Sequence, residues 1–454
     1  MIEVREFDII ITGGGISGAA AAISAARLGK NVLLIEQYGF LGGTLTACGT
    51  GPMMTFHAGD TQVVQGICGE LISRLAKKGL SAGHILDSTT YTYTVTPFDA
   101  EGMKTELESM LLEAGGKLLY HAQVTETERQ ASRLGAVKAS GLGTAERLQA
   151  GVYVDATGDA NLAAMSGVPF DLGRKEDGAC QPVTMNFKMY EVKLEETKAF
   201  IRGHMEQFPT IGNTLLEAPR LSIGGFTEIF ETAYRRKELT YRRGNILFFE
   251  TNTPGEVIVN STRILGIDPT DPWSLTQAEV QGRTQAAQMA AVLKKYVPGF
   301  EHAKLAFTGP FIGVRSSRQI RGDYTLTARD VLSCRAFEDS IAHGGYPIDV
   351  HPPEGDEASA KVSERSMPRP GWGDCYSIPY RCLTNPAVEN LITVGRCISA
   401  EFEAQAAIRV SPIAGATGHA GGVAAALTRE RAAVVDTVEL RRVLREQGAY
   451  IRGN

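Results

Sequence analysis

Residues 7–36 carry the sharpest hydrophobic pattern in the chain, FDIIITGGGISGAAAAISAARLGKNVLLIE. An apolar run (Ile9 to Ile11) breaks at three glycines. An alanine-rich stretch follows, then a second apolar run (Val32 to Ile35) ending in Glu36. Short apolar runs bounded by glycine read as buried strands, and the segment between them has the length and composition of a helix. The pattern predicts strand, tight turn, helix, strand. Two later stretches begin the same way. In VYVDATGD (152–159) the run Val152 to Val154 ends in Ala156-Thr157-Gly158. In NLITVGRCISA (390–400) an apolar strand stops at Gly395. Beyond it, RVSPIAGATGHAGGVAAAL (409–427) predicts a helix of small residues whose start would point at a ligand.

Between these segments the period changes. FDAEGMKTELESMLLEAG (98–115) places Met103, Leu107, Met110, Leu111 and Ala114 at helical spacing, and Gly115-Gly116 stop it before a strand, KLLYHAQVTE. From about Cys180 the pattern alternates, as in VTMNFKMYEV, ILFFET and EVIVNSTRI, with charged helices and Pro/Gly turns between. Residues 352–374, PPEGDEASAKVSERSMPRPGWGD, read as an exposed, lid-like loop.

The first turn is Gly13-x-Gly15-x-x-Gly18. Gly13 permits a tight turn, Gly15 lets the backbone approach a pyrophosphate, and Gly18 lets helix and strand pack closely. Ile16 and Ser17 open the helix, whose N-terminus offers N–H groups and a positive dipole end to phosphates. Glu36, followed by Gln37, is placed to accept hydrogen bonds from an adenosine ribose, and its charge disfavours a 2′-phosphate. NAD and FAD both satisfy this. The next stretch, QYGFLGGTLTACGTGP, separates them: Gly42-Gly43-Thr44 suit a loop lying along an extended ligand, where a simple NAD domain would proceed to a crossover and a third strand.

These segments resemble the FAD-dependent oxidoreductases whose FAD-binding domain is similar to that of fumarate reductase and succinate dehydrogenase flavoproteins. The likeness runs nearly end to end, taking in GVRSSRQIRGDYTLTARDV at 313–331, YSIPYRCL at 376–383 and Val394 to Leu427. It implies an α/β fold: a Rossmann-like, three-layer FAD-binding domain with an inserted mixed α+β substrate domain. The expected division is 1–180 and 370–440 for the FAD-binding domain, 181–369 for the insert and 441–454 for a tail. Beyond the glycines, Glu36 and Gln37, the resemblance assigns FAD contacts to Gly42, Gly43, Thr44, Val124 (through its backbone, to adenine), Ala156, Thr157, Gly158, Gly395, Arg396, Ile413 and Ala414. A single glycine turn covers only the pyrophosphate of so long a ligand, so the late turn and helix would return beside the flavin. A helix start there favours negative charge on the flavin's pyrimidine side. Members that attach flavin covalently carry a histidine just before the threonine. Gly43 stands there, which implies dissociable FAD. Many two-motif FAD proteins carry an acid in the late strand–turn; Arg396 here is placed to meet a phosphate or a surface acid.

Composition narrows the partners. At 454 residues the chain is longer than a single core usually grows. Lys and Arg number 46 against 51 Asp and Glu, a net −5 with no basic run, which argues against nucleic-acid or anionic-membrane surfaces. Glu3, Glu6 and Asp8 interrupt any signal-peptide core, and no apolar run approaches the roughly 18 residues of a membrane span. Seven scattered cysteines include no Cys-x-x-Cys pair, so the reading is a cytoplasmic protein with reduced thiols and no metal site. SGLGTAE (140–146) and LSIGGFTE (221–228) both fall short of a second glycine fingerprint. A small-molecule substrate and a diffusible electron partner are therefore expected in place of a dedicated NAD(P)H domain.

Chemistry-bearing residues are few. Arg409 precedes the small-residue helix, where the resemblance implies an arginine that meets substrate. His351, in YPIDVHPP, is expected to end an apolar strand, as a proton carrier or a satisfied structural histidine. Arg315 and Arg318 could hold an anion bidentately or join Arg321 in a salt-bridge cluster. His57, after MMTF, is a weaker candidate near the ring. The functional expectation is hydride transfer between flavin and a small organic substrate. The alternatives are a flavoprotein acting in RNA modification and a flavin-binding protein without turnover.

Overall fold

The computed structural model describes residues 5–208, 211, 218–355 and 368–453. Strand β1 (Arg5–Thr12), helix α1 (Ile16–Arg27) and strand β2 (Val32–Ile35) form where the glycine pattern predicts them. The last four residues of β1 and all of β2 are buried, as expected of strands covered on both faces. Helix α2 (Ala100–Glu113) starts on Asp99, whose carboxylate accepts the Gly102 N–H at 2.6 Å. The single strand expected after it is two, β3 (Lys117–Leu119) and β4 (Gln123–Gln130). His121 between them adopts a left-handed φ of 54°, which turns the chain out of one strand line and into another. Strands β4, β5 (Arg133–Gly141) and β6 (Thr144–Asp155) form an antiparallel meander.

The middle of the chain builds a second sheet from β7 (Phe187–Tyr190), β8 (Ser222–Gly225), β9 (Ile246–Glu250), β10 (Val257–Val259) and β11 (Lys304–Thr308). It is antiparallel, in the order β8-β9-β10-β7-β11. Helix α3 (Pro272–Tyr296) is capped by Asp271, which accepts from the Trp273 and Ser274 N–H groups. These elements enclose their own core, from Val183 to Ile312, with Phe187, Phe226, Phe248 and Phe300 at its centre.

The chain then returns. Strand β12 (Leu391–Thr393) pairs parallel with the end of β6, Tyr153 opposite Leu391. The first sheet thus has seven strands in the order β3-β2-β1-β6-β5-β4, with β12 also on β6, and β1, β2, β3, β6 and β12 run parallel. Helices α4 (Phe402–Ile408) and α5 (Ser411–Leu427) follow. The glycines of α5 have a packing reason. A Cβ at Gly418 would lie 2.1 Å from the Ser17 carbonyl oxygen, and one at Gly422 would lie 2.1 Å from that of Ala21. The two helices therefore meet backbone to backbone, and the Ser24 hydroxyl donates to the His419 carbonyl at 3.1 Å. This contact sets the start of α5 beside the start of α1.

One expected strand differs. The apolar run before His351 forms a strand only over Ser340–Gly344, and residues 345–350 are irregular, since Pro347 has no N–H to pair. Of the expected lid-like loop, residues 356–367 lie outside the described residues. All seven cysteines are free thiols. Among the described residues no helix is long and apolar enough to cross a membrane.

Candidate functional site

A cavity of about 870 Å³ lies at the carboxyl ends of the parallel strands. Gly13, Gly15, Ile16 and Ser17 reach it from the first turn, Glu36 and Gln37 from the end of β2, and Gly43 and Thr44 from the loop beyond. Val124, Ala156, Thr157, Gly158, Gly395, Arg396 and Ala414 complete this wall. Residues scattered over most of the chain thus converge on one cleft. Three of the expected residues do not line it. A Cβ at Gly18 would lie 1.8 Å from the Gly13 carbonyl oxygen, so Gly18 serves helix–strand packing. Gly42 takes a φ of +110°, where a side chain would also meet Thr46, so it makes the turn. The Ile413 side chain is fully buried in the core and faces Gly344.

The cleft fits an extended dinucleotide. Gly15 has φ −62°, open to any residue, yet an added Cβ would meet nothing nearer than Gly43 Cα at 3.8 Å. A side chain there would stand in the cavity, so glycine keeps the floor clear. Helices α1 and α5 both begin at this cleft with no side-chain cap. Their first-turn N–H groups lack partners one turn earlier, and their positive dipole ends favour an anion. Glu36 accepts the Gly14 N–H at 2.5 Å and the Tyr38 N–H at 2.9 Å, each carboxylate oxygen retaining a lone pair. Burial raises its pKa against these bonds.

Arg396 is part-buried and meets an acid of the cleft. Its Nη2 lies 2.6 Å from Asp159 Oδ1, which also accepts the Ser317 hydroxyl at 2.5 Å, and Asp159 itself lines the cleft. Burial disfavours the Arg396 charge, but Asp159 outweighs it and holds the guanidinium protonated. Gly158, at φ +79°, leaves room for that guanidinium, since a Cβ would lie 3.1 Å from Arg396 Cζ.

The opposite wall has no counterpart in the sequence reading. Pro272, Leu275, Thr276, Glu279 and Arg283 present one face of α3 to the cleft, and Phe311 stacks on Tyr38 at 4.0 Å between ring centroids. The helix start at Asp271-Pro272 was readable; its placement over the cleft was not.

A smaller cavity of about 170 Å³ adjoins the first and shares Thr44, Val314, Arg396, Arg409 and Ser411 with it. Here the structure brings together Arg409, His351 and Arg315. The link between the first two is Asp349, a residue the sequence reading passed over. Its Oδ2 accepts from Arg409 Nη2 at 2.9 Å and from the Tyr346 hydroxyl at 3.0 Å, and lies 3.3 Å from His351 Nε2. Burial alone would raise the Asp349 carboxyl, yet the hydrogen bond from His351 and the charges of Arg409 and Arg315 hold it well below the usual carboxylate range. Burial pushes His351 down to about 3, against the pull of Asp349. The pair is therefore a neutral imidazole beside an ionised carboxylate, which places the ring proton on Nε2 and leaves Nδ1 as a base. Arg315 donates through Nη1 to the Pro182 carbonyl at 2.6 Å and the Thr184 hydroxyl at 2.5 Å. Burial, then Arg409 and Arg243, push its pKa down.

The other candidates lie elsewhere. Arg318 binds the Asp159 carbonyl and Asn161, and Arg321 forms an exposed pair with Asp171, so the three arginines of 315–321 do not cluster. His57 lines neither cavity; its Nδ1 lies 3.0 Å from the Thr94 hydroxyl and its ring meets His84 edge-on. Cys48 lines the main cleft, but burial pushes its thiol up to about 12 and leaves it inert.

A family model described as FAD dependent oxidoreductase matches residues 8–447. A soluble pyridine nucleotide transhydrogenase of Mycobacterium bovis is 44% identical over 54 residues, 12% of either chain. One from Chromohalobacter salexigens is 37% identical over 64 residues, 14% of either chain. The chain thus spans only a small part of these relatives' length. Among solved structures, a triple mutant of the flavin-dependent brominase Bmp2 is similar in fold, with a TM-score of 0.51 and 12% identity, covering 97% of this chain and 84% of that one.

Proposed function

The chain belongs to the FAD dependent oxidoreductase family, and from that premise we propose that it transfers hydride between non-covalently held FAD and a small organic substrate seated in the 170 Å³ cavity. FAD is its cofactor and supplies the two-electron acceptor or donor when bound. The observation that carries the substrate reading is the gathering of Arg409, His351 and Arg315 in a cavity that opens off the FAD cleft. A volume of about 170 Å³ suits a small metabolite.

In this reading the turn from Gly13 to Ser17 holds the pyrophosphate of FAD, the start of α5 faces the pyrimidine side of the flavin, Glu36 binds the ribose, and Arg396 with Asp159 borders the cleft between its two halves. Arg409 and Arg315 orient the substrate. His351 Nδ1 takes or returns the proton that accompanies hydride transfer, and Asp349 fixes the ring and Arg409 in place. We assign the unit with the second core, from Val183 to Ile312, as a cap that contributes α3 and Phe311 to the cleft. A cytoplasmic setting, with a diffusible electron partner using the same flavin face in turn, completes the proposal.

The test is a panel of alcohols, polyols, hydroxy acids, amines and unsaturated acids, offered anaerobically to the yellow protein. Bleaching by one class is expected, and acid precipitation is expected to release FAD into solution because Gly43 stands where a flavin-attaching histidine would be. Flavin that stays with the precipitated chain would reject non-covalent binding. A flavin that no class reduces, and that stays reduced with every unsaturated compound, would reject turnover.

A further inference from the structure

The smaller cavity is unbalanced in two respects that bear on what it holds. The first is charge. Arg409 is paired with Asp349, but Arg315 has no carboxylate within ion-pair distance among the described residues, its hydrogen bonds going to a carbonyl and a hydroxyl. Arg396, the third arginine of the lining, is paired with Asp159, and His351 is neutral, so Arg409 and Arg315 share the one carboxylate of Asp349. The second is hydrogen bonding. Asn186 is 4% exposed; its Nδ2 donates to the Thr50 hydroxyl at 3.0 Å, while its Oδ1, fully buried, accepts from nothing. Asn260, across the same cavity, also has a buried Oδ1 without a donor, and Arg409 Nε is buried without an acceptor. Buried polar groups are unfavourable unless paired, and several unpaired groups on residues that line one small space mark a place that a polar ligand completes.

The two features specify complementary halves of that ligand. A surplus guanidinium with an idle Nε calls for an anion able to accept from planar, forked donors, which is the geometry of a carboxylate. Amide oxygens call for an O–H or N–H donor on the same molecule. We infer that the cavity receives a small organic acid bearing a hydroxyl or amino group, with its carboxylate on Arg315 and Arg409 and its donor on the Asn186 Oδ1. This rests on the reading of the cavity as the substrate site and narrows it. Neutral alcohols lack the anion, simple amines meet the wrong charge, and unsubstituted acids leave the asparagine unpaired.

Lactate, alanine, propionate and propylene glycol make a matched set of probes. Each is titrated into the FAD-loaded protein under anaerobic conditions, with the flavin spectrum and the unfolding temperature read on the same samples. Lactate or alanine is expected to bind most tightly, propionate about 10-fold more weakly, and propylene glycol not at all at millimolar concentration. Arg315→Gln should lose about 10- to 100-fold in affinity for the acids with FAD content unchanged, and Arg315→Lys should recover part of it. Asn186→Leu should erase the preference for lactate or alanine over propionate while retaining propionate. The inference is overturned if the glycol binds as well as the acids, if no acid binds, or if the three variants bind all probes as the wild type does. Acid binding with no change in flavin redox state would uphold the inference and show that these acids are ligands and not reductants of the flavin. Reduction of the flavin by neutral compounds alone would overturn the inference and uphold hydride transfer.

Discussion

Asp349 shows how much of the site depends on a single carboxylate. It holds Arg409, fixes the tautomer of His351 and takes the Tyr346 hydroxyl, all inside the protein. His351→Ala is expected to keep FAD and to slow flavin reduction by substrate about 10²–10⁴-fold. Its pH dependence is the sharper check. A base works when neutral, and burial pushes His351 down to about 3, so the acid limb it causes should lie near that pH and leave the rate level from pH 5 to 8. An acid limb between pH 6 and 7 that vanishes in the variant would mean His351 titrates as an exposed histidine. At the other end of the cleft, Glu36→Ala removes the acceptor of the Gly14 and Tyr38 N–H groups as well as the proposed ribose contact. FAD affinity is expected to fall by about 1–3 kcal/mol, read by flavin fluorescence titration; an unchanged constant would place the ribose elsewhere.

At the scale of elements, the glycine turn separates into residues that serve the ligand and residues that serve the fold. Gly15→Val adds a side chain where an added Cβ would clear all neighbours by 3.8 Å or more. The protein is expected to fold with a near-normal unfolding transition and to be colourless. Gly18→Ala forces a Cβ to within 1.8 Å of the Gly13 carbonyl, so α1 must move off β1, and it should lower the yield of folded protein together with FAD. Circular dichroism melting beside flavin content distinguishes the two. A yellow Gly15→Val protein would contradict the placement of the pyrophosphate on this turn. Gly422 belongs with Gly18, because its hydrogen faces the Ala21 carbonyl across the α1–α5 contact.

The whole molecule buries histidines in both its central core and its edges. His343 and His419 are pushed down to about 4, and His351 to about 3, chiefly by burial. Each is neutral in the folded protein and gains a proton on unfolding once the pH falls below its ordinary value of 6.5. Their contribution to stability is therefore complete above that pH and is lost as the pH falls toward 4. Urea unfolding should show a decline on the order of 1–2 kcal/mol per buried histidine between pH 7 and 5. A flat profile over that interval would mean these rings are protonated in the folded state.

Local pattern was enough for β1, α1, β2, the Gly13–Gly18 turn and the FAD assignment, because a glycine's conformation and an apolar strand's burial are set by neighbours close in the chain. It also named Arg409, His351 and Arg315 as candidates, since each follows or precedes a recognisable segment. It overran at His351, where Pro347 ends the pairing, and it read Gly42 and Ile413 as ligand contacts when one makes a turn and the other fills core. Asp349 was invisible because its neighbours in the chain, Ile348 and Val350, give no hint of the arginine it pairs with 60 positions later. The α3 wall was missed because a helix's amphipathic face says that it packs, and not against what. Only the close approach of α5 to α1, and the fold of the second sheet across the cleft, brought Arg315, Arg409 and Asn186 to the lining of one cavity. Side-chain identities and turn conformations are properties of short stretches, whereas the charge balance of a cavity is a sum over residues that meet only when the chain is folded.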